Sequence, residues 1–224
     1  MKIDVLTLFP AMFAGPLDES IIQRARKKGL LDLKIHNLRD WTHDRHRTVD
    51  DKPFGGGLGM LLKPEPLFEA VESLRREKTK VILLSPAGRK FSQEIARELS
   101  QQKDLLLVTG HYEGFDERVR ETLADDELSI GDYVLTNGAL PAMVVIDAVT
   151  RLLPGVLGKD ESSLDESFSP AFAGLEYPQW TRPTEFRGMK VPDVLVSGHH
   201  AKIEKWRREQ AQLKTKKHRP DLMK

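Results

Sequence analysis

Two stretches of this sequence carry residue types that do chemistry. The first, residues 39–52, reads RDWTHDRHRTVDDK and holds four basic residues, four acidic residues and two histidines. Charge of that density cannot pack as a core. It runs into Pro53-Phe54-Gly55-Gly56-Gly57-Leu58-Gly59, so the whole reads as a long polar loop with a glycine hinge. Long loops inside compact domains are either functional or disordered. His43 and His46 supply two imidazoles, but no further ligands complete a metal set around them. The glycines fit neither a Walker A motif nor GxGxxG, which excludes those triphosphate and dinucleotide cradles.

The second stretch, residues 129–143, reads SIGDYVLTNGALPAM. Ile, Tyr, Val and Leu across residues 130–135 suit a buried strand. Thr136-Asn137-Gly138 then turns the chain, and Pro141 opens an apolar helix toward Leu153; proline is favourable in a first helical turn. Strand, tight turn and helix in succession make a ligand position, because open α/β sheets bind ligands at the carboxyl ends of their strands. The same residues also read as a sharp turn with no ligand. Two other stretches weigh against that plainer reading. Residues 80–84 form a buried strand ending in Ser85-Pro86-Ala87-Gly88, and residues 104–108 form another ending in Thr109-Gly110-His111-Tyr112-Glu113-Gly114. Parallel strands would set the turns at Gly88, Gly110 and Gly138 on one edge, enclosing a pocket lined by backbone N–H and C=O groups.

The elements that position these turns alternate in type. Residues 2–9 read as a strand ended by Pro10, followed by a helix closed at Gly29 and a half-exposed strand over residues 31–35. Residues 64–76 form a helix with Leu67, Phe68, Val71 and Leu74 on one face, and Ser92 caps a helix running to Gln102. Strands alternating with helices predict an α/β fold with a mostly parallel sheet covered on both faces. Residues 157–170 are acidic and polar and read as a linker between domains. A turn-rich joint follows, then a final helix capped by Ser197.

Composition narrows the class. With 224 residues, no cysteine and a net charge of +1, the chain has a real core, no disulfide framework and no thiolate metal site, as expected in a reducing cytosol. No apolar run is long enough to span a bilayer, and MKIDVLTLFP is too short and too acidic for a signal peptide. The balanced charge hides one asymmetry. Residues 201–224 carry nine Lys/Arg against three Asp/Glu. That is either an electrostatic footprint for a nucleic acid or a solvated helix face.

Taken together, Leu84-Ser85-Pro86-Ala87-Gly88-Arg89, Tyr112-Glu113-Gly114-Phe115-Asp116-Glu117-Arg118-Val119, the stretch Ser-Ile-Gly-Asp-Tyr-Val-Leu from Ser129 and Leu140-Pro141-Ala142-Met143 resemble the bacterial tRNA (guanine-N1)-methyltransferase family. So do Thr42-His43-Asp44-Arg45-His46-Arg47, Gly55-Gly56-Gly57, Pro154-Gly155-Val156-Leu157-Gly158, residues 177–183 and Ser197-Gly198-His199-His200. The resemblance runs in order along nearly the whole chain. It implies a SPOUT-superfamily fold: a mostly parallel sheet with a deep trefoil knot, plus a small helical carboxyl-terminal domain. It also implies a cytoplasmic homodimer with its active site at the interface and no membrane partner. The implied division is a knotted cofactor domain over 1–157, a flexible linker over 158–172 and a tRNA-binding domain over 173–224.

The implied reaction is methylation by S-adenosylmethionine of N1 of the guanine just 3′ of the tRNA anticodon, giving 1-methylguanosine. The cofactor site would use Ser85, Pro86, Gly110, Tyr112, Glu113, Gly114, Ser129, Ile130, Gly131, Asp132, Tyr133, Val134, Leu135, Gly138 and Pro141. Neutral guanine N1 bears a proton and is a poor nucleophile, so a base must remove it and a cation should steady the charge on O6. The family places the base before Ser-Phe in the linker, here Glu166, with Asp165 as the neighbouring alternative, and the cation at Arg151. The tRNA would meet Arg45, His46, Arg47 and the basic final helix, with Asp50 and Tyr112 reading the guanine. The family's reaction is associated with Mg²⁺, but no local ligand cluster fixes one. His111, Asn137, Ala139 and Ala87 depart from the common family pattern, and the chain ends soon after Arg219-Pro220, short of an extension that some members carry. Other readings are a SPOUT enzyme acting on a ribose 2′-hydroxyl, against which the linker acid and the polar loop argue, and an RNA-binding scaffold of weak activity.

Overall fold

The computed structural model describes residues 1–158, 166–169 and 174–223. The chain divides into two compact units, Met1–Leu157 and Gly158–Lys224. The first is built on a five-stranded parallel sheet. Its strands are β1 (Lys2–Thr7), β2 (Asp32–Asn37), β5 (Thr79–Lys90), β6 (Asp104–Thr109) and β7 (Asp126–Ser129), in the order β2-β1-β6-β5-β7. β3 (Asp50–Asp51) and β4 (Leu61–Leu62) pair as a separate antiparallel ribbon at the base of the glycine loop.

All six residues of β6, DLLLVT, are buried. A run of apolar residues without alternation is what a central parallel strand covered on both sides requires. Neighbouring side chains then point to opposite faces. Ile82, Leu84, Leu105 and Leu107 join one core with Ile3 and Val5, while Val81, Leu83, Leu106 and Val108 join the other with Leu6. The first core is closed by α1 (Ser20–Lys27), α3 (Gln93–Ser100) and α5 (Ala139–Thr150), and the second by α2 (Pro64–Leu74) and α4 (Glu117–Leu123). In α5, Ala142, Val145, Ile146 and Val149 are fully buried, the i, i+3, i+4, i+7 stripe of a helix lying on a sheet. Ser92 caps α3, its hydroxyl accepting from the Ile95 N–H at 3.4 Å.

The amino edge of the sheet is tied by ions. Asp4, only 1% exposed, accepts from Arg76 at 2.7 Å and pairs with His36 Nε2 at 2.7 Å; Arg76 also donates to Asp104 at the start of β6. Burying a carboxylate is costly unless it is paired and hydrogen-bonded, and these partners meet that requirement.

In the second unit, β8 (Glu185–Phe186) and β9 (Met189–Lys190) form a short hairpin, followed by α6 (Asp193–Val196) and α7 (His200–His218). Thr215 of α7 is buried; its Oγ1 donates to the Ala211 carbonyl at 2.8 Å and accepts from the Leu175 N–H at 2.9 Å. A Cβ on Gly174 would stand 2.6 Å from that hydroxyl, so only glycine admits the contact.

Two elements differ from the sequence expectation. Residues 130–135 are not a strand: β7 ends at Ser129, and Tyr133, Val134 and Leu135 are 54%, 85% and 37% exposed. Gly131 at φ +154° and the Ser129 hydroxyl, which donates to the Gly131 carbonyl at 3.1 Å, turn the chain off the sheet instead. Ser197 ends α6 rather than capping α7; its hydroxyl donates to the Val194 carbonyl at 2.7 Å, and His199 precedes α7 with no side-chain cap.

Candidate active site

At the carboxyl ends of β5, β6 and β7 lies a cavity of about 200 Å³. Ser85, Pro86, Gly110, Tyr112, Glu113, Gly114, Ser129, Ile130, Gly131, Tyr133, Val134, Leu135, Gly138 and Pro141 all line it. Asp132 does not; it is exposed and pairs with Lys90 at 2.9 Å. Sequence reasoning missed Leu84, His111, Phe115, Leu128, Thr136 and Asn137, which complete the wall. Their signal lay in position, since each flanks a residue already assigned.

Close backbone approach shapes the cavity. The Gly138 N–H donates to the Gly110 carbonyl at 2.8 Å, and a Cβ on Gly138 would sit 2.9 Å from Gly110 N. The second and third turns therefore touch main chain to main chain. Gly88 serves differently from the expectation that all three turns line a pocket. It does not line the cavity; a Cβ added at Gly88 would stand 2.4 Å from Leu128 N, so its absence lets β5 pass close against the backbone of β7. Residues 85–88 loop out of the β5–β7 ladder, which resumes at Arg89 opposite Leu128 again. Ser85 at the head of that excursion donates to Glu127 Oε1 at 2.5 Å, and Glu127 in turn accepts from Arg120 at 3.0 Å. Tyr112 takes a left-handed conformation at φ +56°, uncommon for a bulky residue and concentrated at functional positions.

Two of the unusual residues meet each other. His111 and Asn137 form a backbone bridge, and His111 Nδ1 donates to the Thr136 carbonyl at 3.0 Å. The His111 ring also stands 4.1 Å from Tyr112 and 4.9 Å from Phe9. Asn137 Oδ1 accepts from the Ala139 N–H at 2.8 Å, satisfying a donor at the start of α5.

The remaining expected residues lie elsewhere. Arg45, His46 and Arg47 are exposed on their own loop, where Asp44 accepts from the His46 N–H at 3.0 Å and from the Thr48 N–H at 2.9 Å. Hydrogen bonds from Thr48 hold the Asp44 carboxyl below its ordinary range. His43 pairs with Glu69 at 2.8 Å rather than with a metal ligand set. Asp50 is half-buried in β3, opposite Leu62. Arg151 caps the far end of α5, about 20 Å along the helix from Gly138 at 1.5 Å per residue. Glu166 is half-buried in the second unit, its carbonyl accepting from the Ser169 N–H at 3.1 Å. Asp165 lies outside the described residues. Among the described residues no group of three His, Asp or Glu is placed to hold a metal, and no helix is long and apolar enough to cross a membrane.

A parallel sheet with a backbone-lined cleft at its carboxyl edge defines a ligand-binding α/β protein. Comparison with known proteins narrows the class. A model of the family described as tRNA (Guanine-1)-methyltransferase TrmD matches residues 1–224. A Dehalococcoides mccartyi protein named tRNA (guanine-N(1)-)-methyltransferase is 61% identical over 225 residues, covering 99% of this chain and 90% of its own length. Proteins of the same name from Dictyoglomus turgidum and Geobacter are 56% and 54% identical, each covering all of this chain and 90% of their own. The chain belongs to the tRNA (guanine-1)-methyltransferase family and is an enzyme of it.

Proposed function

We propose that the protein methylates N1 of the guanine just 3′ of the tRNA anticodon, with S-adenosylmethionine as donor, as a cytoplasmic homodimer of SPOUT type. The observation that carries this reading is the cavity. Apart from Asp132, every residue expected to hold the cofactor lines one backbone-walled cleft. The donor set fits the group. An amphoteric, nucleoside-like molecule needs N–H and C=O partners beside apolar surface, and the turns at Gly110 and Gly138 bring both together with Leu84, Ile130 and Pro141. Bound there, S-adenosylmethionine supplies an activated methyl group to guanine N1. The knotted path enters this reading through the family resemblance; in the structure α5 follows β7 and packs on β6 and β1.

The chain's own residues supply the acid–base work. Glu166 takes the N1 proton, and Arg151 balances the charge that gathers on O6. Glu166 would reach the cavity from the linker of a second copy, with Arg151 following α5 just downstream of the cofactor turns. Exposed Tyr133, Val134 and Leu135 on the rim are apolar surface that such a copy would cover. Asp50 and Tyr112 read the guanine, and Arg45, His46, Arg47 and α7 contact phosphates. Linker residues 158–172 then join a cofactor domain, 1–157, to a tRNA-binding domain, 173–224. Mg²⁺ enters this reading only through the family's association with it.

The test is incubation with labelled S-adenosylmethionine and transcripts that have or lack guanine at the target position. Product only with guanine, identified as 1-methylguanosine, is expected; ribose methylation would refute the reading. Glu166→Gln should retain cofactor affinity and lose transfer by about 10²-fold or more. Near-normal turnover in that variant removes Glu166 from the role.

A further inference from the structure

The second unit holds a cavity of its own, about 450 Å³, inside the roughly 300–1,000 Å³ range of ligand sites. One side is the turn carrying Tyr177, Trp180, Thr181 and Arg182; the other is α7, which contributes Arg207. Its lining includes two arginines and, among the described residues, no carboxylate. Trp180 is 43% exposed. Its ring lies 5.4 Å from that of Trp206, tilted by 54°, so the indole is braced from the protein side while keeping open surface. The Arg207 guanidinium lies 4.7 Å over the Tyr177 ring, which fixes its plane and leaves its N–H groups able to meet an anion. A tryptophan braced yet partly uncovered, in a cavity it shares with two arginines, is poorly explained by packing alone.

We infer that this cavity is a subsite for an unpaired RNA nucleotide, its base stacking on Trp180 and its phosphate held by Arg182 and Arg207. Every nucleobase offers a π-face and every nucleotide one phosphate, which match an indole flanked by arginines. Unstacked loop bases, unlike those inside a duplex, can be splayed onto an aromatic ring. An acidic peptide would satisfy the arginines but leave the indole without a planar partner. The inference rests on the proposed RNA-modifying function, extending it to a second contact in a different unit from the methyl-transfer cavity.

The experiment measures binding of the full chain to an end-labelled RNA stem-loop and to the same stem as a loopless duplex, by fluorescence anisotropy across a salt series. Trp180→Ala should weaken stem-loop binding by roughly 10-fold or more, the size of one lost base stack, and leave duplex binding and the turnover at saturating RNA unchanged. Trp180→Phe should restore most of the affinity. Arg207→Ala should lower the salt slope by about 0.7, one single-strand phosphate contact. If Trp180→Ala loses its fold by circular dichroism, the Phe and Arg207 variants carry the test. Equal stem-loop binding by wild type, Trp180→Ala and Arg207→Ala overturns the subsite while leaving the methyltransferase reading intact. So does displacement of the RNA by an acidic peptide of equal affinity, which would mark a protein site. A wild-type chain that neither binds nor methylates tRNA defeats both readings.

Discussion

Replacing Gly138 by alanine adds one methyl where two turns of the cavity meet. The backbone of Gly138, at φ −81° and ψ 4°, is open to alanine, so the whole effect is steric. The new Cβ would stand 2.9 Å from Gly110 N and Thr109 Cα and 3.0 Å from Thr109 Cβ. Ordinary carbon contacts are about 3.5–4.0 Å, so the turns must part by roughly 0.5–1 Å. Overpacking of this kind costs about 1–3 kcal/mol. Alanine's stiffer unfolded chain offsets about 0.4–1 kcal/mol of it, leaving about 1–2 kcal/mol. At about 2–4 °C per kcal/mol for a domain of this size, Tm should fall by about 2–8 °C. The same parting displaces the wall of the cavity, and misplacement on the ångström scale can cost a site about 10²-fold, so affinity for S-adenosylmethionine should drop by at least about 10-fold. Calorimetry measures both quantities. Gly158→Ala, where no heavy atom lies within 4 Å of the added Cβ, is the control. Wild-type Tm and affinity in Gly138→Ala would refute the close-packed turns as the basis of the site.

Two further predictions concern stability. Burial pushes the Asp4 carboxyl up, but hydrogen bonds from Arg76 and His36 outweigh it and hold the group below its ordinary value. Its charged form therefore stabilises the fold at pH above about 4 and ceases to as pH falls through the lower folded value; Asp4→Asn should cost about 3 kcal/mol at neutral pH and flatten the acid limb of a stability–pH curve measured by urea unfolding. Thr215→Val should strand the Leu175 N–H and destabilise the second unit by about 1–3 kcal/mol, seen as faster amide exchange there with no change in S-adenosylmethionine affinity.

The frame was legible where signals are local. The LLLV run of β6, the stripe of α2 and the cap at Ser92 each follow from residues near in sequence, and turns at strand ends marked the cavity before its walls were assembled. What escaped is non-local or inverted. The contact of Gly138 with Gly110 joins turns 28 residues apart in the chain, and no periodicity reports it. Residues 130–135 carry the apolar side chains of a strand yet leave the sheet, because that surface lines a cleft and its rim. Gly88 was recognisable as necessary but not for its reason, which is the passage of one strand against another. The asymmetry of residues 201–224 was visible from composition, whereas the cavity between α7 and the 177–184 turn needed the fold to bring Arg207 over Tyr177.

The main-chain contact between the turns at Gly110 and Gly138 bears on how this protein can drift in sequence. A ligand gripped by carbonyls and N–H groups is indifferent to most side chains around it, so substitution in the turns is tolerated wherever the backbone path persists. His111 and Asn137, both in the cavity wall, are bridged to one another through their backbones. With the cofactor held as proposed, a competitor molecule that copies its hydrogen bonds would meet few single substitutions able to exclude it, since those that move the backbone there would also dismantle the grip on the cofactor.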